Sequence, residues 1–134
     1  DYQQLLIIKR LARDLDIPTK IIGAPTIREI DGLAVSSRNV YLSPTHRETA
    51  PSIFKVLKRT ATAIALGDDA SLAAKKAHDD LVLAGFSKIE YFEARHSETL
   101  EPIKDTRNPG RLFAAVWLGS TRLIDNLEIK AYSD

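Results

Sequence analysis

Arg111-Leu112-Phe113-Ala114-Ala115-Val116-Trp117-Leu118-Gly119-Ser120-Thr121-Arg122-Leu123-Ile124-Asp125-Asn126-Leu127-Glu128-Ile129 decides the fold of this 134-residue chain. The run Arg111 to Leu118 is mostly apolar, as a buried strand requires. Gly119-Ser120 is a two-residue connection with Gly first, the composition a type II′ hairpin turn prefers. Thr121 to Ile129 then reads as the returning strand. Upstream, Lys88 to Arg95 alternates as a third strand. The polar segment Ser97 to Gly110, with Pro102, Asn108 and Pro109, is the loop between them.

Two helical patterns precede the strands. In the first, over 44–66, Ser43-Pro44 supplies an N-cap and a proline at the first helical position. Ile53, Leu57, Ala61 and Ile64 form its apolar stripe, and Gly67 stops it. The second, over 69–84, carries Leu72, Ala73, Ala77, Leu81 and Ala84 on one face and stops at Gly85. One-faced helices and a sheet with one apolar-rich face combine as an α+β domain, two helices packed on a three-stranded antiparallel sheet.

The first 25 residues depart from this pattern. Leu5, Ile8, Leu11, Ala12 and Leu15 have helical spacing over residues 2–15, with Asp1 in the N-cap position. Ile17-Pro18 ends the helix, because the residue before proline is pushed out of the α region. Thr19 to Gly23 reads as a short strand. Residues 1–25 are therefore expected to be the last helix–strand unit of an open α/β domain, and residues 26–134 a separate smaller domain. The chain opens with Asp1 directly inside a helical pattern, so it is expected to be a piece of a longer protein.

Composition narrows the function classes. With 44% hydrophobic and 28% charged residues the chain has the balance of an ordinary soluble globular domain. A net charge of +1 supplies no bulk field for nucleic acid or an anionic membrane, and neither is expected as a partner. The absence of cysteine excludes disulfides and thiolate chemistry, and fits a reducing cytoplasm. No apolar run approaches the ~20 residues that a membrane helix needs.

The segment with the most chemistry is Asp31-Gly32-Leu33-Ala34-Val35-Ser36-Ser37-Arg38-Asn39. Asp31-Gly32, between Ile27–Ile30 and Leu33–Val35, is a hairpin turn signal. Two hydroxyls, a guanidinium and a carboxamide follow with no acid among them. Such a set can gather round an anion, and the guanidinium fork suits phosphate oxygens. A polar surface loop capping a neighbouring element is the other reading. Gln3 and Gln4, in the first turn of the opening helix, can bind a substrate carboxylate or hydroxyl, or simply be solvated.

Arg28 can hold phosphate while Glu29 or Asp31 orients Arg38. Alternatively the hairpin is exposed and Asp31 serves the turn. His46, His78 and His96 are scattered, without metal spacing, and read as surface residues. Asp79-Asp80 are adjacent on a helix and do not face one another. Trp117 reads as core, and Arg122 with Asp125 and Asn126 as an internal brace of the last strand. Ser36 and Ser37 lack the Gly-x-Ser-x-Gly setting of a hydrolase.

Taken together, Asp1-Tyr2-Gln3-Gln4-Leu5, Gly23-Ala24-Pro25-Thr26-Ile27-Arg28-Glu29, Asp31 to Leu42 and Arg122-Leu123-Ile124-Asp125-Asn126 resemble the C-terminal part of the pantoate–β-alanine ligase family. The resemblance spans essentially the whole chain. It implies an ATP- and magnesium-dependent joining of pantoate to β-alanine through a pantoyl adenylate, releasing pyrophosphate and then AMP. It implies a Rossmann-like nucleotidyltransferase domain that ends near residue 25, followed by a lid domain.

On the same footing, Gln4 is expected to bind pantoate, and Asp1 to end a Gly-x-Lys-Asp nucleotide segment. Ile27 and Val35 are expected to meet adenine or ribose through backbone groups. Ser36, Ser37 and Arg38 stand where related nucleotidyltransferases place the Lys-Met-Ser-Lys-Ser loop, Ser36 and Arg38 acting catalytically on the phosphates. Val35 replaces the Met or Leu that the family often carries. No metal ligand is expected in this chain. The magnesium carboxylate, a His-x-Gly-His-type motif and a Lys are expected before Asp1, so these residues alone are expected to be inactive. The family tends to dimerise through its N-terminal domain. Two alternatives are a non-catalytic anion-binding or interaction module, and another adenylate-forming transferase with a similar lid.

Overall fold

Across the Gly119-Ser120 turn Leu118 faces Thr121, which sets the register of the last two strands. The structure is a computed structural model describing residues 1–131. Strand β2 (Gly110–Leu118) lies between β1 (Lys88–His96) and β3 (Thr121–Ile129), both antiparallel to it. The order β1-β2-β3 is the meander that the sequence predicts.

Side chains alternate across a strand. Leu112, Ala114, Val116 and Leu118 therefore share one face with their partners Leu127, Asp125, Leu123 and Thr121. Ile89, Phe92 and Ala94 of β1 join this face. Helices α3 (Ser52–Ala65) and α4 (Ala70–Ala84) cover it. Leu57, Ile64, Leu81, Leu112, Leu118 and Val116 are the large side chains buried most completely. The expected two-helix, three-strand layer arrangement is what forms.

The opposite face carries Tyr91, Glu93, Arg111, Phe113, Ala115, Trp117, Arg122, Ile124 and Asn126. The β1–β2 register slips between Ile89 and Tyr91, a bulge that leaves Glu90 unopposed. Glu90 reaches that same outer face, where it accepts from Trp117 Nε1 at 3.2 Å and pairs with Arg122 at 2.7 Å. Its apolar neighbours lead one to expect Trp117 in the core between helices and sheet, but it is half-buried on the outer face.

The expected helix 44–66 is broken. Helix α2 (Pro44–Thr49) stops and α3 starts at Ser52. Pro51 has no N–H to continue the ladder, which interrupts it at that residue. Ser43 does cap α2, its hydroxyl accepting from His46 N–H at 3.2 Å. Gly85 ends α4 in the left-handed conformation, φ 109°, which a side chain would resist.

Helix α1 (Tyr2–Asp14) is capped by the Asp1 carboxylate, which accepts from Gln4 N–H at 3.1 Å. The strand expected over Thr19–Gly23 is irregular backbone instead. A single strand cannot pair its own N–H and C=O groups, and no strand lies beside it among the described residues. The apolar stripe of α1 is also uncovered, with Ile8, Leu11 and Leu15 all at least 40% exposed. Tyr2 is what fastens α1 to the rest: its hydroxyl donates to Ser97 C=O at 2.8 Å, its ring lies 5.8 Å from Phe113, and Arg111 stacks on it at 4.0 Å.

Leu57 is fully buried between α3, α4 and the sheet. Leu57→Ala is expected to lower the unfolding free energy by about 2–5 kcal/mol, the range for a buried Leu-to-Ala cavity. Urea denaturation followed by circular dichroism checks this value.

Candidate functional site

Residues 27–35 form a very short hairpin. Glu29 N–H donates to Leu33 C=O at 2.8 Å and Val35 N–H to Ile27 C=O at 2.9 Å. Gly32 turns the chain with φ 95°, and a Cβ there would come within 2.5 Å of the Phe54 ring. The Asp31 carboxylate accepts from Leu33 N–H at 3.2 Å, an Asx turn of the kind its sequence position predicts. Leu33 plugs into the core at 4% exposure and anchors the hairpin.

Beyond Val35 the chain is extended at Ser36 and then forms a 3-10 turn over Ser37–Tyr41. The Ser36 hydroxyl accepts from Arg38 N–H at 3.2 Å, which leaves its own hydrogen free to donate outward. Asn39 Nδ2 donates back to Ala34 C=O at 3.0 Å, tying the turn to the hairpin. The Asn39 Oδ1 atom is buried without a partner.

A cleft of about 290 Å³ opens where this turn meets the outer face of the sheet and the start of α1. Asp1, Tyr2 and Gln3 form one wall, and Val35, Ser36, Arg38 and Asn39 another. Tyr91, Phe113, Ile124 and Asn126 provide its floor. The cleft therefore combines an apolar, partly aromatic surface with hydroxyl and guanidinium donors at its rim. Such a mixture suits a ligand with a flat apolar part and a charged part.

Of the residues expected at a site, Asp1, Val35, Ser36 and Arg38 line this cleft. Gln4, Ile27 and Ser37 do not. Gln3 lines it, while Gln4 is exposed on the same first turn. Ile27 is 69% exposed. Thr26, Tyr91 and Ile124 are cleft residues that sequence reasoning missed. Tyr91 lies in no motif, Ile124 falls inside the Arg122–Asn126 stretch without a role of its own, and the sheet register brings the two together on either side of Ala115.

The arginines sort themselves by partner. Among the described residues, every arginine except Arg38 and Arg111 has a carboxylate within ion-pair distance. Arg111 is occupied otherwise, stacking on Tyr2 and donating to Asn126 Oδ1 at 2.8 Å. Arg38 is exposed at the cleft rim and has no anionic partner among the described residues.

Three expected roles need correction. Arg28 is not free for phosphate, because it forks onto Asp125 with contacts of 2.6 and 2.9 Å. Asp31 does not orient Arg38: it pairs with Arg47 at 2.6 Å, and that guanidinium holds its carboxyl below the usual carboxylate range. Arg122 does not brace Asp125 or Asn126. Residues 122 and 125 fall on opposite faces of β3, so Arg122 pairs with Glu90, whose carboxyl it holds below the ordinary range.

His78 is exposed, while His46 and His96 are half-buried. The His96 Nδ1 accepts from Glu98 and Thr99 N–H groups at 3.1 and 3.3 Å, a turn-capping role. Among the described residues no three His, Asp or Glu side chains gather as a cation site. No described helix is long and apolar enough to cross a membrane.

Residues 1–128 match the family model described as Pantoate-beta-alanine ligase. The pantothenate synthetase of Rhodopseudomonas palustris (strain BisA53) is 52% identical over 130 residues, covering 96% of this chain and 46% of that protein. The pantothenate synthetase of Mesorhizobium japonicum is 50% identical over 129 residues, covering 96% and 45%.

Among solved structures, the pantothenate synthetase of Thermus thermophilus superposes with a TM-score of 0.87 at 40% identity, covering 96% of this chain and 47% of that one. The pantoate-beta-alanine ligase of Francisella tularensis, complexed with beta-gamma ATP and beta-alanine, gives 0.68 at 32% identity, with 96% and 41% covered. The chain spans about half the length of the curated relatives it matches. By sequence and by fold, the chain belongs to the pantoate–β-alanine ligase family.

Proposed function

We propose that this chain is the lid half of an ATP-dependent ligase that joins pantoate to β-alanine, and that the Ser36–Arg38 turn handles the ATP phosphates. The observation that carries this reading is Arg38, an arginine at a cleft rim with no internal carboxylate among the described residues. Family membership and the ATP and β-alanine bound by the Francisella relative support the same substrates here.

In this reading the pantoate carboxylate attacks the α-phosphate and pyrophosphate leaves. The β-alanine amine then attacks the acyl carbon of the pantoyl adenylate and AMP leaves. Negative charge spreads over the phosphate oxygens in the first step. Donors already in place stabilise it without reorganising, which is the largest effect available to such a site. Arg38 offers its guanidinium fork, while Ser36 and Ser37 offer hydroxyls. The Ser36 hydroxyl accepts from a backbone N–H, so it is polarised toward donating.

Val35 and Ile27 are proposed to meet the nucleoside through backbone groups. Asp1 is proposed to border the nucleotide, and Gln4 to hold pantoate from the exposed side of the first helical turn. The uncovered stripe of Ile8, Leu11 and Leu15 supports assigning residues 1–25 to a Rossmann-like domain, whose remainder would cover it. Assembly as a homodimer through that domain and residence in the cytoplasm belong to the same proposal. A lid over a hydrolysable adenylate also excludes water.

The two carboxylates at the cleft are already committed, Asp125 to Arg28 and Asp1 to the end of α1. The residues present therefore do not fit magnesium by themselves. Any magnesium that the reaction uses takes its ligands elsewhere.

Two outcomes are expected. In the protein of the relatives' length, Arg38→Ala should slow pantoate-dependent pyrophosphate release by roughly 10²–10³-fold, the scale of losing one transition-state donor. A parental rate would remove Arg38 from the mechanism. Residues 1–134 on their own should form no pantothenate from ATP, pantoate and β-alanine. Turnover above a blank, followed by mass spectrometry, would show that the chain already holds every essential group.

A further inference from the structure

We infer that Arg28 is a positioning residue for the nucleotide turn, acting through its buried ion pair with Asp125. The inference rests on the phosphate role proposed for Arg38. Arg28 and Asp125 lie 97 residues apart in sequence, and their side chains are 17% and 3% exposed. Both guanidinium nitrogens are used on both carboxylate oxygens, at 2.6 and 2.9 Å. A planar fork on a carboxylate fixes orientation as well as distance.

The remaining contacts make Arg28 a hub. Its Nη1 donates to Gly32 C=O at 3.1 Å, across its own hairpin, and its Nη2 to Asn126 C=O at 3.3 Å on β3. Its guanidinium lies 3.9 Å over the Phe54 ring of α3. One side chain therefore joins the hairpin, β3 and α3. The hairpin cannot hold itself, since two ladder hydrogen bonds make a marginal structure. Leu33 adds an apolar anchor, but an apolar contact does not set a twist.

The path from this hub to the phosphate donors is short. Arg28 bridges to Ala34, and Ala34 C=O accepts from the Asn39 amide that ties down the 3-10 turn. A tilt of the hairpin about Leu33 would carry Ser36 and Arg38 with it. Displacements of about 1 Å at a reacting group cost up to roughly 10²-fold in rate. Lysine keeps the charge but loses the fork.

The test uses the protein of the relatives' length carrying Arg28→Lys, with Arg38→Ala alongside. Arg28→Lys should lower kcat for pyrophosphate release by roughly 10–10²-fold and leave the KM for pantoate unchanged. Amide exchange should quicken at Arg38 and Asn39 and stay parental along β2. Asp125→Asn, which keeps the side-chain volume and one acceptor, should give the same split and serves if Arg28→Lys does not fold.

Parental turnover and parental exchange at Arg38 would overturn the proposal. Exchange quickening equally along β2 would overturn it too, since that marks general loosening. Failure of the phosphate reading looks different: Arg38→Ala then releases pyrophosphate at the parental rate, while quickened exchange in Arg28→Lys still marks the latch.

Discussion

A carboxylate on the apolar side of a sheet has to be neutralised where it stands, and Asp125 is such a group. The β2–β3 register sets it opposite Ala114, on the face that α3 and α4 cover. Leaving it unpaired there costs several kcal/mol, while a well-made pair with full hydrogen bonding roughly breaks even against an apolar alternative. The pair is better understood as a device that selects one arrangement than as a source of net stability. Arg28 must come to Asp125, and with it the hairpin, the Gly32 turn and the segment leading to Ser36. The donor turn is thereby set at the edge of β3, beside the outer face of the same sheet.

That outer face has its own logic. Helices cover one side of the sheet, so the other side must be met by something else. Tyr2 at the start of α1 covers part of it through Phe113 and Arg111, with its hydroxyl on Ser97. What remains is a cleft floored by Tyr91, Phe113 and Ile124 and rimmed by Ser36 and Arg38. Residues of both sheet faces meet in this cleft: outward Tyr91, Phe113 and Ile124 line it together with inward Ala114, Leu123 and Asp125. The bulge at Glu90 contributes by bringing Glu90 to the outer side, where it neutralises Arg122. Among the described residues, Arg38 is left as the rim's unpaired cation.

The features legible in sequence were those governed by local chemistry. The Gly119-Ser120 turn, the Asp1 and Ser43 caps, the Gly85 stop and the alternation in β1 and β3 each depend on residues within a few positions of one another. The Ser36–Asn39 run stands out in the sequence because its donor types are contiguous, and the structure gathers Ser36, Arg38 and Asn39 at one cleft. Pairings across the fold were not legible. Arg28 finds Asp125 at a separation of 97 residues, and Arg122 finds Glu90 at 32, both fixed by register and not by spacing. The helical stripe over 44–66 concealed the break at Pro51, since apolar periodicity continues through a proline even where the hydrogen-bond ladder does not. Thr19–Gly23 has strand-like composition, but a strand is a property of two neighbours and not of one segment.

In the proposed reading, orientation of the Arg38 guanidinium toward phosphate is what joins fold to chemistry. A crystal structure of the protein of the relatives' length, with pantoate and a non-hydrolysable ATP analogue, observes it directly. Arg38 nitrogens should lie within about 3 Å of phosphate oxygens, with the Arg28–Asp125 fork intact beneath them. Phosphates held entirely by other groups, with Arg38 directed into solvent, would contradict the assignment of this turn.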